Sequence, residues 1–467
     1  MTLIDSRPGI AAVMRQLSAE TGVFIDVDLV VTRLGPPLDL ELAHWFPADQ
    51  VSVMADRFRA IYPALAIEPV PLLPGAVQAL AAVHESGGQS VVITAKFAPN
   101  AQLHMEHLGL APTAVEGWRF GDGKTAALRE HAASVYVGDH EADMVSAKTA
   151  GALAVGVVSG AHTADELWAA GADVVLGSLT DFAPWYAEHL LEGRLADLHE
   201  RLAALGSVVI AFSGGADSAF LLAAAVRALG PYHVVAATAV SASLPASELA
   251  AASAFATELG VRHVTPRTYE MARDGYRANA GDRCYFCKAE LLDVLRPAAA
   301  VLAVEHVATG SNADDAVSGF RPGMRAAAER GALTPLLDAG LTKAQIRLAS
   351  QRWGLRTWDK PAAACLSSRI AYGIEITRER LVRVDQAEAG VRSALAAEGV
   401  EVRNLRVRDL GDVARVEVDA RFVAAASGSA GVLAAVREAG FDQVEVDPRG
   451  FRSGAMNELL SDPQQYR

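Results

Sequence analysis

Cysteine is scarce: the 467-residue chain has three, Cys284, Cys287 and Cys365. That is too few for a disulfide framework, so a reducing, cytoplasmic setting is expected and the thiols are left for metal, catalysis or burial. Positive charge is scarce as well. A net charge of −13 argues against a broad electrostatic footprint for DNA or tRNA, leaves room for a local basic patch, and better suits a small anionic substrate. Long apolar runs are missing, because charges interrupt the alanine-rich stretches before they reach membrane-spanning length. Met1 to Pro8 carry no charged-then-apolar signal, so neither a membrane anchor nor export is expected. What is present, 51% hydrophobic and 21% charged residues, reads as a soluble globular protein long enough for two or three domains.

The most informative stretch is Ser213-Gly214-Gly215-Ala216-Asp217-Ser218, between the apolar run Val208–Phe212 and a long Ala/Leu-rich segment. It reads as strand, glycine turn and helix start. The glycines let backbone approach a polyphosphate, the hydroxyls of Ser213 and Ser218 add donors, and the helix N-terminus offers unpaired N–H groups. Asp217 beside phosphates makes most sense holding Mg²⁺. No Gly-Lys-Ser/Thr closes the loop, so it is not a Walker A motif. It resembles instead the PP-loop of ATP pyrophosphatases, which split ATP into AMP and pyrophosphate.

Strands at Val23 to Asp28, Ser90 to Thr94, Val135 to Gly138 and Ala152 to Val158 alternate with helical patterns, and the alternation resumes at Val208 to Phe212, His233 to Val240 and His306 to Gly310. The fold class is therefore α/β, two parallel-sheet domains, with a small α+β appendage after Tyr372. The divisions expected are 1–190, including a small helical cap at about 33–82, then 191–372 and 373–467. A polar amphipathic helix from Trp185 to Leu205 forms the joint.

In the first domain, Asp26 and Asp28 fall at the end of an expected strand and lean the same way. One carboxylate can attack phosphorus while the other moves a proton. Thr94 ends a second strand, Lys124 follows Gly121-Asp122-Gly123, and Asp139 and Asp143 follow a third strand. The set resembles the haloacid dehalogenase-like hydrolases. The resemblance implies Asp26 as nucleophile, Asp28 as acid/base, Thr94 and Lys124 on the phosphoryl group, and Mg²⁺ held by Asp26, Asp28, Asp139 and Asp143. Leu29 departs from the glycine or aromatic residue usual after the second aspartate. A non-catalytic folding or dimerisation role is the rival for this domain.

Cys284 and Cys287 lie three apart in Asp282-Arg283-Cys284-Tyr285-Phe286-Cys287-Lys288, and Cys365 opens Cys365-Leu366-Ser367-Ser368-Arg369. A structural zinc site wants four ligands, and no fourth cysteine exists. Together with Ser213–Ser218, Thr309–Asp315, Arg321-Pro322-Gly323, Trp358-Asp359-Lys360-Pro361 and Arg449-Gly450-Phe451-Arg452-Ser453-Gly454, these motifs resemble the ATP-dependent sulfur transferases of nickel-pincer nucleotide biosynthesis. That resemblance implies adenylation of a carboxylate of pyridinium-3,5-biscarboxylic acid mononucleotide, then its conversion to a thiocarboxylate. It also implies a [4Fe-4S] cluster on Cys284, Cys287 and Cys365, with sulfide or a cysteine-derived donor supplying sulfur; the weaker alternative is Cys365 as sacrificial donor.

Within that reading, Asn312 and Asp315 face ATP, and Lys288 and Arg369 balance phosphate charge as pyrophosphate leaves. Arg406 and Arg408 alternate on one strand and so share a face suited to the substrate's 5′-phosphate. Glu417 on the adjoining strand either pairs with them or binds metal. The expected partners are a small anionic pyridinium mononucleotide and a second copy of the chain, with no membrane and no nucleic acid. The rivals are a tRNA thiolase, an amidating ligase, and a zinc-binding interaction module.

Overall fold

The computed structural model describes residues 1–317, 321–361, 364–452 and 455–459. Ser453 and Gly454 of the Arg449–Gly454 motif lie outside the described residues. The chain divides into two compact units, Met1–Leu190 and Leu191–Arg467. The boundary falls within the long helix Phe182–Ala203, close to the amphipathic segment read from sequence.

The first unit opens with helices Arg7–Thr21, Val27–Thr32, Leu38–Leu42 and Val51–Leu65, which bury Met14, Leu17, Ile25, Val30, Leu42 and Tyr62 against one another. The strand expected at Val23–Asp28 does not form. Its alternation is real, with Ile25 buried and Phe24 80% exposed, but the local chemistry favours a helix start. The Asp26 carboxylate caps the helix Val27–Thr32 by accepting from the Leu29 N–H at 3.1 Å. Two short parallel sheets follow. One pairs β1 (Val91–Ile93) with β2 (Ala114–Glu116), and the other orders β3 (Val135–Gly138), β4 (Leu153–Val157) and β5 (Val174–Leu176). Helices connect successive strands, as parallel pairing requires.

The second unit is built on a parallel sheet of β6 (Val208–Ala211), β7 (Val234–Ala237), β8 (Arg262–Val264) and β9 (His306–Thr309), in the order β8-β7-β6-β9. β6 and β7 are buried throughout, as strands covered by helices on both faces must be. The order reverses beside β6, so the carboxyl ends of β6 and β9 open a crevice at a topological switch point. A separate core follows. β10 (Leu405–Asp409) pairs antiparallel with β11 (Val413–Val418), which pairs parallel with β12 (Gln443–Val446), and helices Arg378–Ala397 and Ala430–Glu438 cover them.

Candidate functional site

The glycine turn forms where the sequence places it. β6 ends at Ala211, Gly214 adopts φ +70°, and Gly215 caps the helix Ala216–Leu229. A side chain at Gly214 would be strained by that φ and would stand 3.3 Å from the Ala252 methyl. The Ser213 and Ser218 hydroxyls are 3.1 Å apart, so both point into the turn. Across the switch point, a Cβ at Gly310 would meet the Ser218 nitrogen at 2.9 Å, so glycine lets the end of β9 press against the helix start. Asn312 follows, buried, accepting from the Asp314 and Asp315 N–H groups. Asp217 has a buried Oδ1 with no hydrogen-bond partner among the described residues, and its Oδ2 lies 3.8 Å from Lys343 Nζ. Burial pushes its pKa up, with Lys343 opposing and Asp315 adding to the rise. An orphaned carboxylate oxygen beside a phosphate-sized turn fits a hard cation such as Mg²⁺.

Two cations of this site escaped the sequence reading. Lys360 donates to the Gly214 carbonyl at 2.9 Å and pairs with Glu248 at 2.7 Å. Lys343 stands beside Asp217. Lys360 lies in a motif already noted, Trp358–Pro361; Lys343, three residues past Gly340, carried no signal beyond its helix start.

Cys284 and Cys287 lie on the helix Arg283–Val301, one turn apart on a shared face, and Cys365 precedes the short turn Leu366–Arg369. Burial pushes the Cys287 thiol well above its ordinary pKa, and the charges of Cys365, Glu270 and Cys284 add to the rise. A soft, all-sulfur donor set is of the kind that takes an iron–sulfur centre, but among the described residues the three sulfurs are not gathered closely enough to hold one metal ion as they stand. The Leu366 N–H donates to the Ser243 carbonyl at 2.9 Å, and the Ser243 hydroxyl donates to the buried Glu270 at 2.9 Å. These bonds fix the Cys365 turn to the loop after β7. Lys288 connects the two regions: burial lowers its pKa, while Cys287 and Asp315 favour its charge.

Arg369, expected beside ATP, is buried and already engaged. It pairs with Glu388 at 2.8 Å and donates to the carbonyls of Ala364 and Cys365. Its guanidinium therefore holds the Cys365 turn. Arg408 is likewise buried in a pair with Glu417 at 2.7 Å and donates to the Ser368 carbonyl at 3.2 Å. Of the alternatives for Glu417, pairing is what occurs. Arg406 packs its guanidinium over Phe451 and donates to the Leu405 carbonyl at 2.7 Å. Burial lowers its pKa to about 10, with Arg369 and Arg408 contributing and Glu388 and Glu248 opposing.

In the first unit Thr94, Lys124, Asp139 and Asp143 line one cavity of about 710 Å³. Lys124 pairs with Asp143, and Tyr136 donates to the same carboxylate at 3.2 Å. Neither Asp26 nor Asp28 lines this cavity: Asp26 caps a helix and Asp28 is exposed on its first turn. Thr94, Lys124, Asp139 and Asp143 are thus brought together on one cavity, and Asp26 and Asp28 are not among its lining residues.

The family model of haloacid dehalogenase-like hydrolases matches residues 1–148. An uncharacterized protein of Synechocystis sp., slr1717, is 40% identical over 276 residues, which are 58% of this chain and 100% of that one. The pyridinium-3,5-bisthiocarboxylic acid mononucleotide synthase of Lactiplantibacillus plantarum is 32% identical over 275 residues of the C-terminal part, 59% of this chain and 97% of that one. Among solved structures, the haloacid dehalogenase-like protein SP0104 of Streptococcus pneumoniae is 22% identical. The match covers 40% of this chain and 93% of that one, with a TM-score of 0.36.

Proposed function

The chain carries a haloacid dehalogenase-like hydrolase domain at its N-terminus and belongs, over its C-terminal part, to the family of the Lactiplantibacillus pyridinium-3,5-bisthiocarboxylic acid mononucleotide synthase; from that premise we propose that the second unit is an ATP-dependent sulfur transferase. Its substrate is pyridinium-3,5-biscarboxylic acid mononucleotide. The observation that carries the reading is that the Ser213–Ser218 turn follows β6 while the Cys365 turn is tied through Ser243 to the loop after the neighbouring strand β7, at the carboxyl ends of one parallel sheet.

ATP lies with its phosphates on the turn and on the N-terminus of the helix Ala216–Leu229. Asp217, with Asp315 near, holds Mg²⁺. A substrate carboxylate oxygen attacks the α-phosphorus, the bond to pyrophosphate breaks, and an acyl-adenylate forms. Lys360 and Lys343 offset the charge that grows on the departing pyrophosphate. Sulfide then attacks the acyl carbon, AMP leaves, and the carboxylate has become a thiocarboxylate. Cys284, Cys287 and Cys365 would hold a [4Fe-4S] cluster, which when bound supplies an iron able to carry sulfide. Arg406, desolvated beside two other guanidiniums, receives the 5′-phosphate, which relieves their mutual repulsion. Arg408 and Arg369 position it and the Cys365 turn.

For the first unit the reading is phosphate-ester binding at Thr94 and Lys124, with Asp139 and Asp143 for Mg²⁺. The test is made on anaerobically purified protein, measuring iron, acid-labile sulfide and pyrophosphate release. About four irons per chain, lost in Cys287→Ala, and release that requires the dicarboxylate mononucleotide are expected. Iron-free, colourless protein that loses sulfur mass from Cys365 on turnover would replace the cluster with a sacrificial cysteine. Release driven by tRNA, or by ammonia as acceptor, would overturn the substrate.

A further inference from the structure

The first unit has two sheets where one would be expected, and the cavity of about 710 Å³ lies between them. Among the described residues β1 is paired only with β2, and β3 only with β4. Val91, Val92 and Ile93 of one strand, and Val135, Tyr136 and Val137 of the other, line the same cavity. Each strand therefore has one edge of backbone N–H and C=O groups without a partner strand, on the cavity that both strands line. Such groups are costly to leave unpaired. Parallel strands are ordinarily buried on both faces, yet β1 is only half-buried along its whole length. A parallel sheet of two strands, β1 and β2, has little independent stability.

One end of the slot is marked. Asp139, directly after β3, pairs with the Met1 ammonium and accepts from the Thr2 hydroxyl at 3.0 Å. The Met1 carbonyl accepts from the Ser159 hydroxyl at 2.6 Å, and Met1 to Ile4 line the cavity. From there the chain runs away from the slot, with the Asp5 N–H donating to Pro71 and the Leu73 N–H to Leu3.

We propose that this slot seats one further β-strand, an extended apolar segment on the amino side of Met1, pairing with β1 and β3 and joining the two sheets into one. Every strand pair in this unit is parallel. A strand running in the same sense has its carboxyl end level with Asp139 and Thr94, where the Met1 amine already lies. About four residues suffice, ~13 Å at ~3.3 Å per residue, matching the four of β3. β-Branched residues suit such a strand. The inference is independent of the sulfur-transfer reading of the second unit.

The test extends the full-length chain at Met1 with Lys-Lys-Val-Ile-Val-Val and, as control, with Lys-Lys-Val-Pro-Val-Pro, which cannot pair along both edges. Hydrogen exchange is followed at the amides of Val91–Ile93 and Val135–Gly138. The first extension is expected to slow these amides by about tenfold or more and to raise the unfolding temperature of this unit, while the control does neither. Acetyl-Lys-Val-Ile-Val-Val-amide, added in trans to the unextended protein, provides a second route should the extended chain aggregate, and the same amides are expected to slow. Unchanged exchange by both routes, or equal protection from the proline control, overturns the proposal.

Discussion

The Lys360 ammonium lies 2.9 Å from the carbonyl oxygen of Gly214, the residue at the tip of the phosphate-sized turn. Glu248 holds it there at 2.7 Å. A cation fixed to the turn by its own backbone is ready for charge that develops on a departing pyrophosphate, and it costs little to reorganise. Lys360→Met is therefore expected to lower ATP-dependent pyrophosphate release by about 10²-fold while barely changing the urea midpoint. Lys360→Arg is expected to recover part of the rate. Equal loss of rate and stability in Lys360→Met would reduce the residue to a structural tie.

Arg408 on β10 and Glu417 on β11 pair diagonally, Glu417 standing opposite Arg406 in register, with side chains only 6% and 2% exposed. Removing one partner leaves the other charge buried and uncompensated. Arg408→Met is expected to destabilise the second unit by about 3–5 kcal/mol in urea unfolding, and Arg408→Met/Glu417→Leu to regain most of that loss. Because Arg408 also carries the Ser368 carbonyl, the double variant is expected to fold and yet deliver sulfur slowly.

The thiols on the helix Arg283–Val301 differ in setting. Cys284 is exposed, whereas burial and neighbouring charge raise the pKa of Cys287. The thiolate is the nucleophile. In iron-free native protein at pH 8, limiting iodoacetamide is expected to label Cys284 about tenfold faster than Cys287, and unfolding in urea to remove the difference. Mass spectrometry of the labelled peptides reads both. Equal labelling in the native state would place Cys287 in an open setting.

How far the sequence spoke depends on whether chemistry was local. Ser213–Ser218 was legible because an apolar run, two glycines and a helix start lie within one short stretch, and the turn forms there. Arg406 and Arg408 were legible as sharing a face. Their pairing was not: register sets Glu417 opposite Arg406, yet its carboxylate pairs diagonally with the buried Arg408, and Arg369 meets Glu388 across separate elements. The strand expected from Val23 to Asp28 does not form, for a related reason. Alternation from Val23 to Asp28 has a strand's period, but a strand also needs a neighbour to pair with. Here the buried partners of Ile25 are helical, and the Asp26 carboxylate is better used as a cap. Lys343 and Lys360 come to the turn through tertiary contact alone.

His104 gives the first unit a dependence on pH. The side chain is fully buried, its Nε2 is 2.9 Å from the Tyr62 hydroxyl, and burial, with lesser help from Lys96 and His107, lowers its pKa from 6.5 to about 4. The folded state therefore refuses a proton that the unfolded state accepts. Stability contributed by the neutral ring is complete above pH 6.5, falls as pH drops toward 4, and is then constant. The loss over that window is expected to approach about 3 kcal/mol. His104→Gln can keep a hydrogen bond to Tyr62 without titrating, so its unfolding free energy is expected to vary less with pH by nearly one proton between pH 4 and 6.5. Urea unfolding at a series of pH values, read at an amide of the helix Ala98–His107, makes the comparison; parallel curves for the two proteins would assign the acid sensitivity to another group.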